Sequence, residues 1–301
     1  MKAFTSGKTV SHTQSNHPLL APPPGPPWDL PLQDVPWAFV DLEMTGLDVS
    51  RDRVLEICIE RVRGADAATA PETALETLVL PSERVGGNVH IHGIDDAALD
   101  GAPAFEAIAD RVIELLDGAV VVAHAAEWDV AFLEMELARA GRPLPLSLMH
   151  PVDTLILARR AFALQSYSLK NLALFLSVDH GQAHRAGPDV RAMRHVFARC
   201  VAELAPVSAR DLWEVRIAAR RARSAIVTAC EEAVLHENTV LLTYRPSRRK
   251  PEPLLMVLTE VRADLDPPRV IGYQLPGRGR RELRADRILR IDPAPPDPAT
   301  L

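Results

Sequence analysis

The sequence predicts an α/β domain followed by a small, mainly-β domain, and three observations carry that prediction. Between residues 37 and 205, short apolar runs rich in β-branched residues alternate with stretches of helical periodicity. A single long helical pattern, about Ser208 to Leu235, then interrupts the alternation. Beyond it lie only short strand patterns separated by Pro, Gly and Arg. The 301 residues exceed the roughly 100 to 200 of one ordinary domain, which agrees with two units.

The elements follow in order. Residues 1–35 are rich in Ser, Thr, His and Pro and culminate in Pro22-Pro23-Pro24-Gly25-Pro26-Pro27-Trp28, the composition of a disordered arm. The α/β unit is set at 36–205. Trp37 to Asp41 is a buried strand, followed by a Gly46 turn, a strand at Val54 to Val62 and a third at Thr77 to Leu80. Helical periodicity covers Phe105 to Leu116, and Ala119 to Ala123 is a fully apolar strand. Helices are then expected at about 130–140, 153–163, 169–176 and 188–204. A linker helix spans 206–235 and a small β domain 236–292, with strands at 239–244, 254–261, 269–273 and 282–291. Residues 293–301 form a Pro-rich tail, again expected to be disordered.

Hydrophobic residues at 47% and charged residues at 25% exclude wholesale disorder, and no apolar run approaches the roughly 18 residues of a membrane span. Cys58, Cys200 and Cys230 are widely spaced, with no C-x-x-C, so neither a disulfide framework nor a zinc knuckle is expected. No apolar segment follows Lys2 and Lys8, so a cytoplasmic location is expected. The net charge of −6 hides a division: residues up to 205 sum to −10, and residues 206–301 to +4.

Three elements carry chemistry. Asp41 and Glu43 end the first strand, and alternation points both carboxylates to one face. Two such acids repel unless a cation lies between them. Asp129 follows the apolar strand 119–123 at the start of a helix, which makes it a third acid at a strand end. His184 precedes Pro188 and Asp189, the last in the first turn of another helix.

The order Asp41, Glu43, Asp129, His184, Asp189 resembles the DEDDh family of 3′-to-5′ exonucleases, which includes the proofreading epsilon subunit of bacterial DNA polymerase III. His90-Ile91-His92-Gly93-Ile94 is similar to that family's H-G-I segment, and Ser168-Leu169-Lys170-Asn171-Leu172 to its S-L-x-x-L helix. The resemblance implies an RNase H-like fold, a mixed sheet flanked by helices. It implies two divalent cations, Mg²⁺ or Mn²⁺, on Asp41, Glu43, Asp129 and Asp189, with His184 as general base and nucleoside 5′-monophosphates as products. Four carboxylates are hard oxygen donors suited to such ions. Met44, Thr45, His92 and Ile94 are implied to line the slot for the terminal nucleotide. Trp128 stands where the family often has Phe and is either core or a stacking surface. Two departures stand out: Ala125 replaces a frequent Asn, and Ala186-Gly187-Pro188 replaces A-L-x.

Residues 226–291 resemble WYL domains, small SH3/Sm-like barrels, although the W-Y-L tripeptide is absent. Arg245, Arg248, Arg249 and Lys250 form one basic cluster there, and Arg280, Arg284 and Arg287 belong to a second. They track nucleic-acid phosphates, sense a nucleotide, or pair internally. The leading expectation is therefore a DNA exonuclease acting on single-stranded 3′ ends, with a DNA polymerase or a defence system as partner and no membrane. An exoribonuclease and a non-catalytic, ligand-sensing regulator are the alternatives.

Overall fold

The structure, a computed structural model, describes residues 21–82, 89–181, 184–246, 251–265 and 267–295. The first unit is built on a five-stranded sheet in the order β3-β2-β1-β4-β5. These strands are β1 Pro36–Met44, β2 Val54–Arg63, β3 Thr73–Leu78, β4 Val120–Ala123 and β5 Val152–Asp153. β1 pairs antiparallel with β2 and parallel with β4, so the sheet is mixed, as the resemblance implies. The third strand begins four residues before its expected start because pairing with β2, not local pattern, sets its extent. β5 is two residues long, too short to leave a periodicity.

The helices are α1 Val89–His92, α2 Phe105–Leu116, α3 Glu127–Arg139, α4 Thr154–Ala161, α5 Leu169–Phe175, α6 Ala186–Leu204 and α7 Ala209–Leu235. Alternation along β1 divides them. Ala38, Val40 and Leu42 join a core with α2 and α3, whereas Trp37 and Phe39 join a core with α4, α5 and α6. Phe197 of α6 packs edge-on to both Trp37 and Phe39, with ring centroids 4.8 and 5.3 Å apart. Asp41 and Glu43 continue this second stripe, just as α6 reaches its N-terminal end.

Three arginines seat α6 on β2 and β3. Arg185, just ahead of the helix, bonds Glu56, Arg191 faces Glu76 at 3.4 Å, and Arg194 meets Glu60 at 2.6 Å. Arg194 and Glu60 are both buried, and Arg194 also donates to the carbonyls of Ala67 and Thr69. Removing one partner of such a pair leaves an uncompensated buried charge, so the bridges constrain helix register.

The expectation of a disordered arm through residue 35 is corrected from residue 21 onward. Trp28 is 4% exposed, edge-on to His150 at 5.9 Å, and His150 in turn meets Trp213 of α7 at 5.9 Å. Arg210 donates to Asp29 at 2.7 Å and to the carbonyls of Pro22 and Pro23 at 2.9 Å. Prolines have little backbone freedom to lose on docking, and an indole brings a large apolar area. Composition could not reveal this because the partners lie far along the chain.

α7 is shared by both units. Ala209, Leu212 and Trp213 join the first core, whereas Cys230 and Ala233 join the second. Its 27 residues span about 40 Å. The second unit is an antiparallel sheet in the order β10-β6-β7-β8-β9, with β6 Thr239–Tyr244, β7 Glu252–Arg262, β8 Arg269–Gln274, β9 Gly279–Arg284 and β10 Ile288–Pro293. The expected single strand at 282–291 is two strands. A 3-10 turn over residues 285–287 separates them, where Arg284 forks onto Asp286 and the Ala285 N–H reaches the Pro268 carbonyl. The tail expected from residue 293 still pairs at its start, since the Ala294 N–H donates to the Thr239 carbonyl. Among the described residues, no helix is long and apolar enough to cross a membrane.

Candidate active site

The site forms where β1 and β4 end beside the start of α6. β4 stops at Ala123, and the chain turns through Ala125 into α3, which presents Asp129 in its first turn at 6% exposure. Ala125 has φ 63°, a left-handed conformation that Asn tolerates better than Ala. Its N–H is held by Asp153 Oδ1 at 3.1 Å, and the same oxygen caps α4 through the Leu155 N–H. His124 is fixed between Thr154 Oγ1 and the Tyr167 carbonyl.

The last motif enters through His184, also left-handed at φ 63° and exposed. Arg185 then lies along the buried Glu56, donating from Nε at 2.9 Å and Nη2 at 2.7 Å. Glu56 also accepts the Ala186 N–H at 3.0 Å, which satisfies an otherwise open donor at the helix start. The Glu76 carboxylate occupies the space a Cβ at Gly187 would need, which accounts for glycine at this departure from the family pattern. Ligand atoms of Glu43, His184 and Asp189 consequently lie within 4.8 Å of one another.

Electrostatics ties in the other two acids. Burial pushes the Asp41 carboxyl well above the usual carboxylate range, and repulsion from Asp129, Asp189, Glu43 and Glu56 adds to it. Burial likewise raises Asp129 strongly, opposed by backbone hydrogen bonds from residues 129 and 42. Glu43 is raised to about 7, by burial first and then by Asp189 and Glu56. Asp189 is raised by burial, with His180 and His184 pulling it back. Carboxylates crowded until they resist ionisation are a fit for divalent cations, which offset the repulsion and accept hard oxygen ligands.

The proposed substrate contacts have different fates. Thr45 is 4% exposed and committed to its own loop: Oγ1 donates to Asp52 Oδ1 at 3.1 Å and accepts the Arg53 N–H at 3.0 Å. Met44 and Trp128 are half-buried. Ile94 packs with Leu55 and Leu99 in a small core of its own, a structural role rather than an open slot. His92 is the informative one. Its Nδ1 accepts the Ile94 N–H at 3.0 Å, so Nε2 carries the proton, and that buried donor has no partner among the described residues. Burial lowers its pKa, and the charges felt after Glu56 and His90 are Arg185 and His184, which places it beside the last motif. Of the C-terminal candidates, Arg284 is paired with Asp286, Arg280 is exposed, and Arg245 and Arg287 meet through a backbone hydrogen bond at 2.9 Å. Arg248, Arg249 and Lys250 lie outside the described residues.

Two residues at the site escaped the sequence reading. Glu56 sits in an ordinary strand pattern, and only its pairing opposite Glu43 brings it to the acids. His180 places Nε2 2.6 Å from Asp189 Oδ1, across a loop whose length hides the contact.

Residues 38–197 match the Exonuclease family, RNase T. The epsilon subunit of DNA polymerase III from Treponema pallidum is 32% identical over 178 residues, covering 56% of this chain and 78% of that protein. The PolC-type DNA polymerase III of Caldanaerobacter subterraneus is 28% identical over 177 residues, and the matched part is 12% of that much longer protein. Among solved structures, Escherichia coli exonuclease I in complex with a dA16 oligonucleotide superposes with a TM-score of 0.53 at 15% identity, over 80% of this chain and 55% of that one. That likeness extends past residue 197, where the family match stops short of the segment resembling WYL domains. With the acids, the histidine and the mixed sheet in place, the chain belongs to the RNase T family of exonucleases.

Proposed function

We propose that the protein is a metal-dependent 3′-to-5′ exonuclease that trims single-stranded DNA and releases nucleoside 5′-monophosphates. The observation that carries this reading is the convergence of Glu43, His184 and Asp189 ligand atoms within 4.8 Å, beside the buried Asp41 and Asp129. Asp41, Glu43, Asp129 and Asp189 would hold two divalent cations, Mg²⁺ or Mn²⁺. Such cations supply an activated water and positive charge beside the leaving oxygen. His184, exposed at the rim, takes the proton from the attacking water and passes it to solvent. His92 offers its free Nε2–H to the terminal nucleotide. Arg185 keeps a net positive charge at the acid-lined entrance. Association with a DNA polymerase is the partner reading that the epsilon relatives support.

The test uses purified protein with Asp41→Ala and His184→Ala variants. Each is incubated with 3′- or 5′-labelled single-stranded DNA, duplex DNA and RNA, in Mg²⁺, Mn²⁺ or EDTA. A metal-dependent ladder from the 3′ end, absent in Asp41→Ala, is expected. An equal ladder in that variant would overturn the proposal, and faster trimming of RNA would reassign the substrate.

A further inference from the structure

The outer face of the C-terminal sheet holds a row of like charges that the fold does not neutralise. Arg262 of β7 pairs directly with Arg269 of β8, and Arg269 with Arg284 of β9. Directly paired residues on antiparallel strands project to the same face, and like charges so placed are destabilising. The opposite face is the core: Val270, the next residue along β8, pairs with Val261 and Leu283, and all three pack into the second hydrophobic cluster. The three arginines therefore point away from α7. Arg284 is drawn toward Asp286 at 2.8 Å, and Arg262 only loosely toward Glu260 at 3.9 Å. Arg269, between them, has no acidic partner among the described residues.

Four residues further along β8, about 13 Å away, the same face carries Tyr273, 42% exposed and directly opposite Arg280. Val257 flanks it on the other side. Glu260 and Glu282 lie in the intervening row around Ile271. A cationic row, an acidic interval and an aromatic ring beside another arginine fit a chain with anions at one point and a flat base at another. A uniformly acidic surface does not match this pattern.

We infer that this outer face binds single-stranded DNA, with phosphates on Arg262, Arg269 and Arg284 and a base stacked on Tyr273 beside Arg280. The assignment rests on the exonuclease reading for the identity of the strand. It separates the two faces of β9 functionally, since Leu283 belongs to the core and Arg280 and Arg284 to the strand path. It also adds Arg262, Arg269 and Tyr273, which composition alone did not single out.

The test is binding of the full chain in EDTA to a fluorescein-labelled oligothymidylate of roughly 16 nucleotides, followed by anisotropy across a salt series. Arg262→Glu with Arg269→Glu should weaken binding at least about tenfold and reduce the salt slope by about 1. Tyr273→Ser should weaken it roughly fivefold or more with the slope unchanged. Arg269→Glu alone should raise the melting temperature, because it places an acid between two arginines, while still weakening binding. Parent-like affinity and slope in the double arginine variant would overturn the assignment. Turnover of thymidine 5′-monophosphate p-nitrophenyl ester, too small to reach this sheet, should be unchanged in all variants. If the parent fails to hydrolyse that ester while the binding results hold, the exonuclease reading fails and the sheet assignment stands.

Discussion

Arg185 and Glu56 form a planar, two-point ion pair 129 residues apart in sequence, with Nη2–Oε1 at 2.7 Å and Nε–Oε2 at 2.9 Å. The pair is asymmetric: the Arg185 side chain is 34% exposed, and that of Glu56 only 4%. Arg185→Ala therefore strands a buried carboxylate among other acids, whereas Glu56→Ala leaves an arginine that can turn to water. Arg185→Ala should cost about 3 kcal/mol in denaturant titration, and Glu56→Ala distinctly less. The double variant should cost less than the two combined. Equal single costs that simply add would remove this pair from the account of how α6 is seated.

The acid cluster sets the pH response of the metal-free protein. Glu43 is raised from 4.5 to about 7 in the folded state, so folding favours its protonated form. That contribution is fully present below about 4.5 and is lost as pH rises through about 7. In EDTA, the melting temperature of the parent relative to Glu43→Gln should fall across this window. A pH-independent gap would contradict the folded-state environment described for Glu43. Saturating Mg²⁺ should raise the parent's stability, by about 2.7 kcal/mol at a hundredfold excess over its dissociation constant. The variant should respond less.

Ala125 is held at φ 63° between β4 and α3, where a Cβ is disfavoured. Ala125→Gly or Ala125→Asn should stabilise the fold by about 1 kcal/mol. Thermal unfolding of the two variants checks this, and a loss of stability in both would mean the turn tolerates alanine without strain.

Trp28 clasps the start of α7 through His150 and Trp213. Trp28→Ala should destabilise by about 3 to 5 kcal/mol, the ordinary cost of removing a buried indole. The same loss should follow deletion of residues 1–30, read by calorimetry. Unchanged melting in either protein would restore the view of this segment as a free arm.

Much of the site was legible before any coordinates. An apolar run that turns into D-x-E encodes a buried strand opening onto a cleft, since strand alternation is local and needs no knowledge of partners. The spacing of His184 to Asp189 marked a helix start in the same way, and the long pattern through 235 marked α7. Charge pairing was not legible. Arg194 finds Glu60 across 134 residues, and Arg185 finds Glu56 across 129, because sheet register and the seat of α6 bring them together. His180 beside Asp189, Trp28 beneath α7, and the alignment of Arg262, Arg269 and Arg284 arise likewise. The sequence by itself determined which segments would be strands and helices and which acids would end them. Only the tertiary structure decided which charges meet, because periodicity is written within a few neighbouring residues and contact is set by register between strands that are distant along the chain.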